Sequence, residues 1–174
     1  MIKAIECLAL ALVLTGCAAP ARIDRMSAIA SLHQGSGELK GAVAVAEVTG
    51  GRETSPLWTS QVSSDAFRRA LENSLQAAGL QNPMLAGSKF QLKADLISLD
   101  QPFGGFNMTV SASVRYSLVE KLTGKEVYAR VIPAAHTATM SDAILGSERL
   151  MMANEGAIKA NIQLLIDDLV RVKL

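Results

Sequence analysis

The stretch SKFQLKADLISL, residues 88–99, together with MTVSASVRYSL, residues 108–118, decides the fold. In the first, Phe90, Leu92, Ala94 and Leu96 share one side, and Lys89, Gln91, Lys93 and Asp95 share the other. In the second, Met108, Val110, Ala112, Val114, Tyr116 and Leu118 alternate with Thr109, Ser111, Ser113, Arg115 and Ser117. A period of two is the period of a strand with one buried face. Two such strands joined by a short connection predict an antiparallel hairpin. Residues 121–124 read as the next turn and residues 125–139 as a third strand. Val127, Ala129 and Val131 lie on one side of it, and Tyr128, Arg130 and Ile132 on the other. Pro133 has no N–H for a ladder, so this strand is expected at an edge or ends there.

On the N-terminal side, residues 63–78 carry Phe67, Leu71, Leu75 and Ala78 at helical spacing. Ser63 or Ser64 can cap the start, and Asp65 suits the first turn. Gly79 fits the left-handed position after the end, with Leu80 folding back on Leu75. Arg68, Arg69, Glu72 and Asn73 are expected to face away. Residues 39–48 (LKGAVAVAEV) are a short apolar run closed by Gly50-Gly51, which predicts a strand buried on both faces and therefore central. The following loop holds Pro56 and the only tryptophan, Trp58, which reads as a plug for one end of the core. Residues 141–174 read as a long helix, strongest from Ser147. Its stripe is Met151, Asn154, Ile158, Ile162, Leu165, Leu169 and Val172, with Ala157 and Ala160 beside it. Asn154 and Asn161 need partners if buried. Gly156 inside the helix predicts a close approach by the sheet. The order β-α-β-β-β-α gives an α+β two-layer sandwich. It has about four mainly antiparallel strands, two helices on one face, and an open face rich in Ser, Thr, Lys and Arg.

The start of the chain has a different character. Lys3 precedes an apolar run, residues 7–14, too short for a transmembrane helix of roughly 20 residues. Its length is that of an export-signal core. It ends in Leu14-Thr15-Gly16-Cys17, which resembles the lipobox of bacterial lipoproteins. That resemblance implies cleavage between Gly16 and Cys17, a diacylglycerol on the Cys17 sulfur, and acylation of the new N-terminus. Ala18 stands where an aspartate often retains such proteins at the inner membrane, so the outer membrane is favoured, with the domain facing the periplasm. The chain then divides into a signal, residues 1–16, an acylated cysteine with a flexible tether, 17–37, and one domain, 38–174. A tether of about 20 residues spans roughly 25 Å. His33 lies in it, alone and expected to be solvated.

Composition narrows the function. Seventeen basic residues against sixteen acidic give a net charge of +1, which points to no nucleic-acid partner. The two cysteines are Cys7 in the signal and Cys17, so the domain has no disulfide, thiol nucleophile or thiolate metal site. No hydrolase, phosphate-binding or metal motif occurs, and no cofactor, metal site or catalytic residue is expected. His136 is the only histidine of the domain, and a role in acid–base chemistry would need Asp100 and Arg149 gathered in one cleft with it. Asn107-Met108-Thr109 matches a glycosylation sequon, which means little in a bacterium. The connection Gln101-Pro102-Phe103-Gly104-Gly105-Phe106 breaks the rule that hairpin loops are polar. It holds half of the four phenylalanines. Two readings stand: Phe103, Gly104, Gly105 and Phe106 are shown to a partner protein or a lipid surface, or the rings fold back into the core.

The element order over residues 39–172 is similar to that of small envelope lipoproteins with one α/β domain, such as the LPS-assembly lipoprotein and the auxiliary lipoproteins of ABC transport systems. This implies a non-catalytic accessory or assembly lipoprotein, held in the membrane through Cys17 and acting on an envelope protein. A lipid- or glycan-binding module is the alternative, and an enzyme comes third.

Overall fold

Alternation at period two becomes three long neighbouring strands in the computed structural model, which describes residues 18–28, 37–55 and 59–173. The chain forms a single helical turn α1 (Ile23–Met26), β1 (Val43–Thr49), α2 (Ser64–Ala77), β2 (Phe90–Asp100), β3 (Met108–Glu120), β4 (Glu126–Ala138) and α3 (Gly146–Arg171). The four strands form one sheet in the order β1-β2-β3-β4. The fold is α+β. Gly16, Cys17, His33 and Trp58 lie outside the described residues, and so do the expectations attached to them.

The inner face of the sheet follows from register. Leu92 stands opposite Leu118, Ala94 opposite Tyr116, and Leu96 opposite Val114, all buried. In β4 the partners of these residues are Tyr128, Arg130 and Ile132, so this set, continued by Ala134, His136 and Ala138, faces inward. Helix α2 packs on β1, and α3 packs on β3 and β4. Ser63 caps α2, its side chain accepting from the Ala66 N–H. The helix ends as its sequence predicts: Gly79 has φ +69°, and the Leu80 N–H donates to Leu75 O at 2.9 Å. Arg68, expected to face away, instead donates to Val45 O and Ala46 O over β1.

Both buried asparagines of α3 are satisfied. Asn161 donates to Ile132 O at 2.6 Å and accepts from the Tyr116 hydroxyl at 2.8 Å. Asn154 donates to Ser60 O at 3.0 Å and accepts from Gln101 at 2.7 Å. A Cβ on Gly156 would overlap the His136 ring, which is the close approach that explains a glycine inside the helix. At the far end of β4, Tyr128 and Arg130 both donate to Asp168 of α3, at 2.7 and 2.6 Å. Burial pushes the Tyr116 hydroxyl well above its ordinary pKa. Burial and then the Asp168 bond raise Tyr128.

Three expectations are corrected. First, β1 is an edge strand. Its apolar run is explained by a bulge between Val45 and Glu47, which turns both Val45 and Val48 inward. Second, the sheet is mixed: β1 runs parallel to β2, and the other pairings are antiparallel. A strand that returns through a helix comes back parallel, which the order β-α-β already requires. Third, residues 18–28 are not a loose tether. Ala18, Ala21, Met26 and Ala28 are buried, and α1 packs against both α2 and α3. The Arg22 backbone and guanidinium donate to buried Glu155 at 2.9, 3.0 and 3.2 Å, and the Ala28 N–H donates to Ser74. Small residues that read as linker composition are small because they fit against the helices. No helix among the described residues is long and apolar enough to cross a membrane.

Candidate functional site

Two surfaces stand out, one at the end of the sheet and one on its open face. The end is where β2 leaves, β3 begins, β4 stops and α3 starts. Its β2–β3 connection carries Phe103 at 114% and Phe106 at 77% relative exposure, so the two rings are displayed and do not plug the core. The next connection, between β4 and α3, adds exposed Met140, Ile144 and Leu145.

The backbone under these side chains is held. Arg149 is buried and donates to Gly105 O at 3.1 Å, Ala143 O at 2.9 Å and Ile144 O at 2.6 Å. One guanidinium therefore ties the two apolar loops together. A planar fork with several fixed donors suits this task. Arg149 Nε is buried with no partner among the described residues. Behind the loops, Gln101 donates to Ser60 O and Asn154, and accepts from Gln61. Gln61 O accepts from the Ala21 N–H at 3.3 Å. This chain of bonds links Ala21, in the first described segment, to the β2–β3 connection. Thr139 donates twice to Asp142 and holds its carboxylate below the ordinary range, closing the turn after β4. Sequence reasoning found the two phenylalanines through the break in loop polarity. It missed Ile144 and Leu145, which looked like the start of the last helix.

The open face has another chemistry. Across β1, β2 and β3, Lys93 stands 3.8 Å from Glu47, and Arg115 stands 3.9 Å from Asp95, which also accepts from Thr49. These residues line a shallow cleft of about 280 Å³. Toward β4 the face turns small and apolar, with exposed Ala129, Val131, Pro133 and Ala135 opposite Ser111, Ser113, Arg115 and Ser117. Beyond Thr49, β2 continues without β1. A second cleft of about 370 Å³ opens there, lined among others by Arg52, Ser98 and Asp100.

The residues whose gathering would point to acid–base chemistry are not brought together. Asp100 stands opposite Ser111 on the open face, while His136 lies inward on Gly156 and Arg149 is spent on loop carbonyls. Among the described residues no three His, Cys, Asp or Glu side chains cluster as metal ligands do.

The architecture is shared with solved bacterial proteins. A Xanthomonas campestris protein of the family DUF330 matches with a TM-score of 0.56 at 12% identity, over 82% of this chain and 93% of its own. A candidate lipoprotein of Caulobacter crescentus matches with a TM-score of 0.52 at 14% identity, over 75% of this chain and 88% of its own. At these identities the likeness is one of fold. No family model matches the chain, and no curated protein matches it in sequence.

Proposed function

We propose that this chain is a non-catalytic accessory lipoprotein of the bacterial envelope, anchored through Cys17 and holding a partner protein on the open face of its sheet. The observation that carries the reading is the one-sided sheet. Both long helices pack on the inner face, and the outer face keeps paired charges on β1–β3 and short side chains on β3 and β4. Strands of 7, 11, 13 and 13 residues, at about 3.3 Å per residue and about 4.8 Å apart, offer roughly 600–800 Å². That is about one partner's share of a standard interface, near 800 Å². Short side chains let a partner approach closely, and β4, the edge strand with no strand beyond it among the described residues, can accept an added strand. The lipobox supports the anchor, and the fold shared with a candidate lipoprotein is compatible with it. Outer-membrane attachment, with the domain in the periplasm, follows from Ala18 after the cysteine.

The alternative, a lipid- or glycan-binding module, calls for space between sheet and helices. Phe67, Phe90, Tyr116, Leu118, Ile158 and Ile162 fill that layer. The accessory role is tested by a photo-crosslinker in place of Val131 in cells. One dominant protein adduct is expected. Adducts scattered over many proteins, or only within the chain, would remove the open face as a docking surface.

A further inference from the structure

We infer that the apolar loop end, Phe103, Phe106, Ile144 and Leu145, rests in the surface of the bilayer that carries the anchor. The inference depends on the lipid anchor at Cys17 and adds where the domain touches the membrane and which way it faces.

With residues 17–37 as a loose linker, the domain would stand off the headgroups by tens of ångströms. The chain allows no such distance. Ala18 is buried, Ala21 is bonded to Gln61, and Arg22 is clamped on Glu155. Consecutive Cα atoms are only about 3.8 Å apart. A lipid on Cys17 thus holds the body at the point where residue 18 meets it. Residue 18 lies within about 11 Å of Ala21, which is linked to the β2–β3 connection through Gln61 and Gln101, and Arg149 ties that connection to the β4–α3 loop. Phe103 and Phe106 are presented by a loop whose Gly105 has φ +143°, and Arg149 fastens it to the Ile144 loop. Exposed aromatic and aliphatic side chains on a fixed backbone are what an interfacial membrane contact needs. Asp142 and Glu148 at the same end are exposed and stay in water, so only the tips of the loops enter the headgroup layer. The open sheet face then stands along the membrane normal, accessible from the side.

The test uses the mature acylated chain with single cysteines for an environment-sensitive fluorophore at Phe106, Ile144 or Leu122. Leu122 is equally exposed but sits in the turn at the other end of β3, about 40 Å away. Each protein is reconstituted in phosphatidylethanolamine–phosphatidylglycerol vesicles with brominated acyl chains. The expected result is a blue shift and quenching at 106 and 144 and neither at 122. Phe103→Ser with Phe106→Ser should abolish the quenching at 144 while urea unfolding is unchanged. No quenching at 106, or equal quenching at 106 and 122, overturns the inference. The mass of the mature chain reads the anchor separately. Lipid on Cys17 without quenching at 106 overturns the contact and leaves the anchor standing. A Cys17 without lipid overturns both.

Discussion

The two connections of β3 lie at opposite ends of one sheet and solve the same chain reversal in opposite ways. The turn after Glu120 is polar and closes on itself. Gly124 takes φ +70°, the Glu120 N–H donates to Lys125 O at 2.8 Å, and Thr123 donates to the Glu120 carboxylate. It exposes one large apolar residue, Leu122, and local bonds close it, while Lys121 at its start donates to Lys89 O and Ala86 O. The connection before Met108 shows two phenylalanines, and distant residues hold it: Arg149 from α3, Gln61 from the loop before α2, and Asn154. A reversal needs only the first arrangement. The second commits buried polar groups to displaying rings in water, which costs free energy unless something covers them.

Several variants sharpen or break this contrast. Arg149→Met should have the largest effect. It leaves three loop carbonyls without their donor at a buried site, a loss of about 2–4 kcal/mol in urea unfolding. An unchanged stability would mean that the loops do not depend on it. Arg22→Ala should cost about 1–3 kcal/mol, because Glu155 is buried and keeps only a backbone donor. Its second readout is protease cleavage within residues 18–28. If both stay at wild-type values, the docked N-terminal segment does not hold. Tyr116 lies between the two ends and gives the pH dependence. Its folded pKa is raised, so the folded state keeps a proton that the unfolded chain releases near pH 10. Stability is fully present below pH 10 and falls as pH rises beyond it. Tyr116→Phe should lessen that decline, to which the raised Tyr128 also contributes, and lower stability at pH 7 by about 1–2 kcal/mol, because Asn161 loses its donor. Gly124→Ala at the polar turn should cost about 1 kcal/mol through its positive φ. Phe103→Ser with Phe106→Ser should change stability by less than about 0.5 kcal/mol, since neither ring is packed. A larger loss would return these rings to the core.

The contrast also marks what was legible in the sequence. Residues 88–118 alternate because one face is buried and the other wet, so strands, hairpin and inner face could be read from them directly. The cap at Ser63 and the ending at Gly79–Leu80 are local chemistry and were equally plain. The edge position of β1 was hidden because a bulge disrupts the alternation that would have exposed it. The docking of residues 18–28 was hidden because alanines and a serine signal a linker as readily as a close fit. Only the distant partners, Glu155, Gln61 and Ser74, decide between the two. At the loop end, composition flagged Phe103 and Phe106 but could not tell display from burial. That outcome rests on Arg149, more than forty positions away in the chain.

The two surfaces are expected to meet different partners, and paired photo-crosslinking in cells tests this most directly. With the probe at Phe106, lipid adducts should dominate. With the probe at Val131, one protein adduct should dominate. A protein adduct at Phe106 shared with Val131 would contradict it and make the loop end part of a single protein-docking surface.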